Sequence, residues 1–191
     1  MGNLKKIHSG NFTFLPTEIP GLIVVETKSF PDSRGCFSEA YKKIDFFAGG
    51  IKDEFLQENQ STSKRGVLRG IHFQKNYPQS KLVRVLSGSA FDVAIDLRRG
   101  SKTYGKWHAE FLSGQNKKQL YMPQGFGHAI LILEEDTVFS YKANDIYHPD
   151  DEGGISFDDP FLNISWPIPL NEIILSEKDK ALESMKEQGL I

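Results

Sequence analysis

The chain has 191 residues, 39% of them hydrophobic and 12% aromatic, which suits one domain with a substantial core. Lys and Arg total 23 against 25 Asp and Glu, so the net charge of -2 excludes a global electrostatic claim on nucleic acid or an anionic membrane, and any anion must be held by local cations. The single cysteine, Cys36, excludes an internal disulfide framework and a cysteine zinc cage, and fits a reducing compartment.

The opening MGNLKKIHSG has no apolar signal-peptide core, and Lys6 stands where N-myristoylation would want Ser or Thr. No run approaches the length of a membrane span, so we expect a cytoplasmic protein whose sequons at Asn11, Asn59 and Asn163 go unused. One domain over 1–191 is expected, with a polar N-terminal arm over 1–20 placed to pack on a partner subunit. From Gly21 to about Trp166 short strands follow one another: Leu22 to Glu26, Val67 to Phe73, Leu82 to Leu86, and Phe91 to Leu97. The last alternates, with Phe91, Val93, Ile95 and Leu97 on one face and Asp92, Ala94 and Asp96 on the other. Further strands are expected at His108 to Leu112, Gln119 to Met122, Ala129 to Leu133 and Thr137 to Lys142. Many short strands punctuated by Gly, Pro, Asn and Asp argue for an all-β antiparallel sandwich or barrel of jelly-roll type. Helix is scarce: a short one at Lys43 to Phe47, and one over 176–191 that opens with the Ser176-x-x-Asp179 capping pattern before Ala181, Leu182 and Met185.

The segment GVLRGIHFQ, Gly66 to Gln74, sets His72 inside an apolar, β-prone run. A lone histidine there is ordinarily a core imidazole with bonded ring nitrogens. Metal-holding jelly rolls supply His-x-His, a following Glu and a later His; here Phe73 and Gln74 follow His72, so no resident metal is expected, even with His128 as a second ligand. Acid–base chemistry without a metal suits His72 better, because an imidazole titrates near neutrality. Such a base needs an orienting carboxylate, for which Asp92, Asp96 and Asp179 are candidates, and an opposing acid, for which Tyr141 is one. Asp179 could equally serve only as a helix cap, and Tyr141 only as a strand aromatic. Arg34, Arg69, Lys81 and Arg84 lie at strand edges, where guanidinium forks suit phosphate.

Taken together, FPDSRGCFSEAY, QENQSTSKRGVLRGIHFQ, KLVRVLSG, FDVAIDLRRGSKTYGKW, PQGFGHA, YKANDIYHPDDEGGISFDDP and ISWP closely resemble the dTDP-4-dehydrorhamnose 3,5-epimerase family, from about Gly21 to Asp179. The resemblance implies a cupin-type jelly roll, a homodimer, a nucleotide-sugar substrate, and no metal or other cofactor. It implies His72 as general base, Asp179 as its orienting carboxylate and Tyr141 as the opposing acid. By matching position it also implies substrate contacts from Arg34, Glu39, Gln57, Glu58, Asn59, Arg69, Lys81, His128, Glu152 and Lys178. Glu58 departs from the family's usual Asp, and GFGHAI from its GFAHGF, which bears on pocket shape. Strict alternation would put Arg69 and His72 on opposite faces, so a bulge at Gly70 is expected if both serve one pocket. The competing readings are an epimerase of one carbon or a keto-sugar isomerase, a non-catalytic sugar-binding cupin, and a metal-dependent cupin oxygenase.

Overall fold

The computed structural model of the chain describes residues 5–191, and residues 1–4 of the expected arm lie outside the described residues. Two antiparallel sheets face each other. The larger runs in the order β1-β2-β3-β11-β8-β13-β6 and the smaller in the order β10-β9-β12-β7-β14. The first three strands are β1 (Ile7–Ser9), β2 (Phe12–Pro16) and β3 (Ile23–Thr27). A separate hairpin follows, β4 (Ser29–Asp32) and β5 (Gly35–Ser38), then helix α1 (Lys43–Ala48) and β6 (Gln57–Ser63). The barrel continues with β7 (Leu68–Gln74), β8 (Lys81–Ser87), β9 (Ser89–Asp96), β10 (Trp107–Ser113) and β11 (Gln119–Met122). It closes with β12 (Phe126–Ile132), β13 (Thr137–Ala143), β14 (Glu152–Gly154) and the single helical turn α2 (Glu177–Lys180).

Each expected strand is present to within a few residues. Two terminal expectations are corrected. The N-terminal segment is not a free arm where it is described: β1 and β2 pair with each other, and β2 pairs with β3 in the large sheet, where Phe12 and Phe14 alternate onto one face and are buried under α1. The helix expected over 176–191 is one turn. Its cap forms, but the chain leaves the helix at Ala181 and spreads over the small sheet, where Met185 is completely buried.

Three apolar layers result. Between the sheets, Leu22, Val24, Val83, Val85, Leu120, Met122 and Phe139 of the large sheet and its approach meet Ala90, Ala94, Phe126, Ile130 and Ile132 of the small one. On the outer face of the small sheet, Phe91, Val93, Ile95 and Leu131 are covered by Ile155, Leu162 and Met185 from the C-terminal segment. On the outer face of the large sheet, Phe46 of α1 meets Phe12 and Phe14 edge-on at 4.9 and 5.3 Å. Burial of one such phenylalanine contributes about 2 to 3 kcal/mol. The small sheet is therefore buried on both faces, and the alternation in β9 turns Asp92 and Asp96 into the barrel rather than toward water. Asp96 is neutralised there by Arg98, at 2.8 Å, and by the hydroxyls of Ser101 and Thr103, both at 2.6 Å. These bonds outweigh burial and hold its carboxyl well below the usual carboxylate range.

The bulge at Gly70 is present. His72 pairs with His128 and Arg69 with Ile130, so two residues of β7, Gly70 and Ile71, oppose the single Ala129 of β12. Gly70 has φ of +126°, and a Cβ there would come within 2.5 Å of the His128 carbonyl oxygen. Only glycine fits. Replacing it, Gly70→Ala, should cost about 2 kcal/mol or more and disturb the strand that carries His72; unchanged thermal stability and activity would contradict this account of the bulge.

Candidate active site

A cavity of about 650 Å³ opens at one end of the barrel between the two sheets. Its walls carry Arg69 and His72 from β7, Lys81 from β8, His128 from β12, Tyr141 from β13 and Glu152 from β14. Gln57 and Asn59 reach it from β6, and Lys178 and Asp179 from α2. Ten of the expected site residues thus share one cavity. Strand pairing explains the convergence: Tyr141 lies beside Asn59 and Val83, and His72 lies directly across from His128.

At the centre His72 Nε2 is 2.5 Å from Asp179 Oδ1. The capping pattern read from sequence is also real, since the Asp179 amide donates to Ser176 Oγ at 3.1 Å and that hydroxyl donates to Asp179 Oδ2 at 2.8 Å. Asp179 is therefore both the cap and the carboxylate on His72, one oxygen for each. Burial pushes its carboxyl up, but the bonds from His72 and Ser176 prevail and hold it below its ordinary value. The alternative carboxylates are occupied elsewhere, Asp96 on Arg98 and Asp92 on His128.

A carboxylate only accepts, so His72 Nε2–H donates to Asp179 and Nδ1 is left as the proton-free ring nitrogen. Nδ1 faces Glu152 Oε1 at 3.6 Å. Glu152 in turn is paired with Lys178 and receives the Tyr147 hydroxyl at 2.6 Å, which pushes the Tyr147 phenol up to about 12. Burial raises the Tyr141 phenol above its ordinary value, with Asn59 and Arg69 pulling against that and the Glu152 charge adding to it. A phenol so placed keeps its proton at neutral pH and can donate it. The Lys81 ammonium sits 5.5 Å from the centroid of the Tyr141 ring. Burial pushes its pKa down, while Asp92 and Glu152 oppose that shift. Arg69 directs Nε and Nη2 onto Ser63 Oγ at 3.3 and 3.1 Å, which fixes its guanidinium at the rim.

Three expected residues lie away from this cavity. Alternation along β6 turns Glu58 outward, where it pairs with Lys142 at 2.6 Å and Ser140 at 3.0 Å. Arg34 stands at the tip of the β4–β5 hairpin, exposed and paired with Asp32 at 2.7 Å, and Glu39 accepts from Asn11 at 3.1 Å. Ser61, Tyr147 and Ser176 line the cavity and were not singled out as contacts. The capping pattern named Ser176, and the alternation of β6 would have added Ser61 to Gln57 and Asn59.

Among the described residues no group of three or more His, Cys, Asp or Glu is arranged to hold a metal ion. Fold and site together define a cupin-type jelly roll with a histidine–carboxylate pair and a half-buried phenol lining one pocket, the equipment of proton transfer on a small polar ligand. Residues 16–187 match the family model described as dTDP-4-dehydrorhamnose 3,5-epimerase. The chain is 42% identical over 177 residues to the dTDP-4-dehydrorhamnose 3,5-epimerase of Methanothermobacter thermautotrophicus, covering 92% of this chain and 96% of that one. It is similar, with a TM-score of 0.89 and 41% identity over 94% of this chain and 97% of the other, to a Legionella pneumophila dTDP-6-deoxy-D-glucose-3,5-epimerase solved with dTDP-4-keto-L-rhamnose. A 3'-monoepimerase from Streptomyces bikiniensis, solved with dTDP-quinovose, aligns with a TM-score of 0.84 at 30% identity over 92% and 91% of the two chains. The chain belongs to the dTDP-4-dehydrorhamnose 3,5-epimerase family.

The Asp179 shift has a sign. A carboxyl whose folded pKa is depressed stabilises the fold above its unfolded value, near 3.8, and that contribution is lost as pH falls through the folded value. Asp179→Asn should therefore lower stability at pH 7 and weaken its dependence on pH below 4. Equal acid limbs in denaturation curves of the two proteins would contradict the pairing.

Proposed function

We infer that this chain is a dTDP-4-dehydrorhamnose 3,5-epimerase, inverting carbons 3 and 5 of dTDP-4-keto-6-deoxy-D-glucose to give dTDP-4-keto-L-rhamnose. The observation that carries this is His72, its Nε2 bound to Asp179 at 2.5 Å, in one cavity with the half-buried phenol of Tyr141. Both reacting carbons flank the keto group, so loss of either proton gives an enolate. His72 Nδ1 takes the proton, Asp179 steadies the imidazolium that forms, and Tyr141 returns a proton from the other side of the ring. Lys81, enclosed in the same cavity, is the cation for the enolate oxygen. Arg69 and Lys178 are at hand for the diphosphate, and Gln57, Asn59, His128 and Glu152 for polar groups of the substrate. Glu152 must yield its place beside Nδ1 when the sugar enters.

We further propose that the working unit is a homodimer. Arg34 and Glu39 are outside this chain's own cavity, and the β4–β5 hairpin that carries Arg34 forms its own two-stranded sheet with Phe30 and Phe37 exposed at 38% and 69%. A hairpin with this apolar surface suits delivery of Arg34 to the cavity of a second copy.

His72→Asn should retain nucleotide-sugar binding and lower turnover by about 10² to 10⁴-fold, read by product NMR and calorimetry; near-normal turnover would overturn the assignment. Light scattering should give twice the 21.6 kDa chain mass, and a monomer that turns over normally would refute the dimer.

A further inference from the structure

The cavity holds a second histidine–aspartate pair. His128 Nε2 is 2.9 Å from Asp92 Oδ2. Asp92 is completely buried, and its other oxygen, Oδ1, has no hydrogen-bond partner among the described residues. A charged side chain at this place on β9 is expensive, and its two neighbours on the same inward face, Ala90 and Ala94, are apolar. The charge of Lys81, on the opposite sheet, partly offsets that cost, because Asp92 is the first of the two carboxylates that oppose the fall in its pKa. Packing alone gives no reason for a carboxylate here, whereas its partner does.

A carboxylate accepts and does not donate, so Asp92 holds the proton of His128 on Nε2. The His128 ring lies over Phe139 with centroids 6.0 Å apart and planes 27° from parallel, and it lines the same cavity as His72 and Tyr141. The remaining ring nitrogen, Nδ1, is then an acceptor, since the one side-chain hydrogen bond His128 makes among the described residues is through Nε2. We propose that Asp92 is a positioning residue that fixes His128 in its Nε2–H tautomer, so that Nδ1 accepts a hydrogen bond from a ring hydroxyl of the sugar. The hydroxyl assignment rests on the epimerase reading above. Without Asp92 the ring is free to present either a donor or an acceptor, and a site that reads a hydroxyl loses its polarity.

The test combines ¹⁵N NMR of the histidine rings with a double-mutant cycle. In the unaltered protein His128 should show a protonated Nε2 and a bare Nδ1, and Asp92→Asn should mix the tautomers. The same substitution should lower kcat/KM about 10- to 100-fold, and in a His128→Ala background it should add nothing further. A protonated Nδ1 in the unaltered protein, or an Asp92→Asn loss equally large without His128, would overturn the proposal. Because the tautomer is read in the unaltered protein, a poorly folding variant does not shield the proposal. Absence of turnover by the unaltered protein would instead overturn the epimerase reading, while the spectrum still reports on Asp92.

Discussion

The bond between His72 and Asp179 joins two parts of the chain that lie 107 residues apart, and the shape of the pocket follows from it. An imidazole in a barrel wall is useful to a ligand only if one nitrogen is committed and the other is free. Asp179 commits Nε2. To do so it must be brought over the barrel mouth, which the Ser176 cap achieves by fixing a single helical turn, α2. The C-terminal chain beyond that turn is anchored by burial of Met185 against the outer face of the small sheet. A side chain outside the pocket therefore helps to hold the carboxylate in place.

A second constraint is local to β7. A regular strand would have sent Arg69 and His72 to opposite faces, one into the barrel and one out of it. The extra residue at Gly70 re-phases the strand, and the close approach of the His128 carbonyl leaves no room for any side chain there. Burial of both faces of the small sheet has a related consequence. It turns the acidic positions of β9 inward, and the barrel accepts them because each has a basic neighbour, Arg98 for Asp96 and His128 for Asp92.

Much of this was legible in the residues. The strands with apolar alternation, β7 to β9 and β10 to β13, could be placed closely because a half-buried strand writes its register into the sequence. β6, QENQSTS, carries no apolar alternation at all, and only the resemblance singled out Gln57 to Asn59. The β4–β5 hairpin lies in solvent, so no burial pattern marks it. Chemical type identified His72, Tyr141 and Asp179 as candidates, but choosing Asp179 over Asp92 and Asp96 needed either the family pattern or the fold, since all three lie far from His72 in sequence or on another strand. Positional matching also drew in Arg34, Glu39 and Glu58, which the folded chain keeps out of its own cavity. The first two reach such a cavity only if a second copy supplies them; the third is turned outward by strict alternation along β6.

The central claim is that one base and one opposing acid exchange the protons on both carbons that flank the keto group. It is tested most directly by incubating the protein with dTDP-4-keto-6-deoxy-D-glucose in deuterated water and locating the label by NMR. Deuterium at both carbon 3 and carbon 5, with the L-rhamnose configuration in the product, is the result expected. Label at one carbon alone would make it a single-site epimerase, and bound substrate without label would contradict the assignment of His72 and Tyr141 as a working acid–base pair.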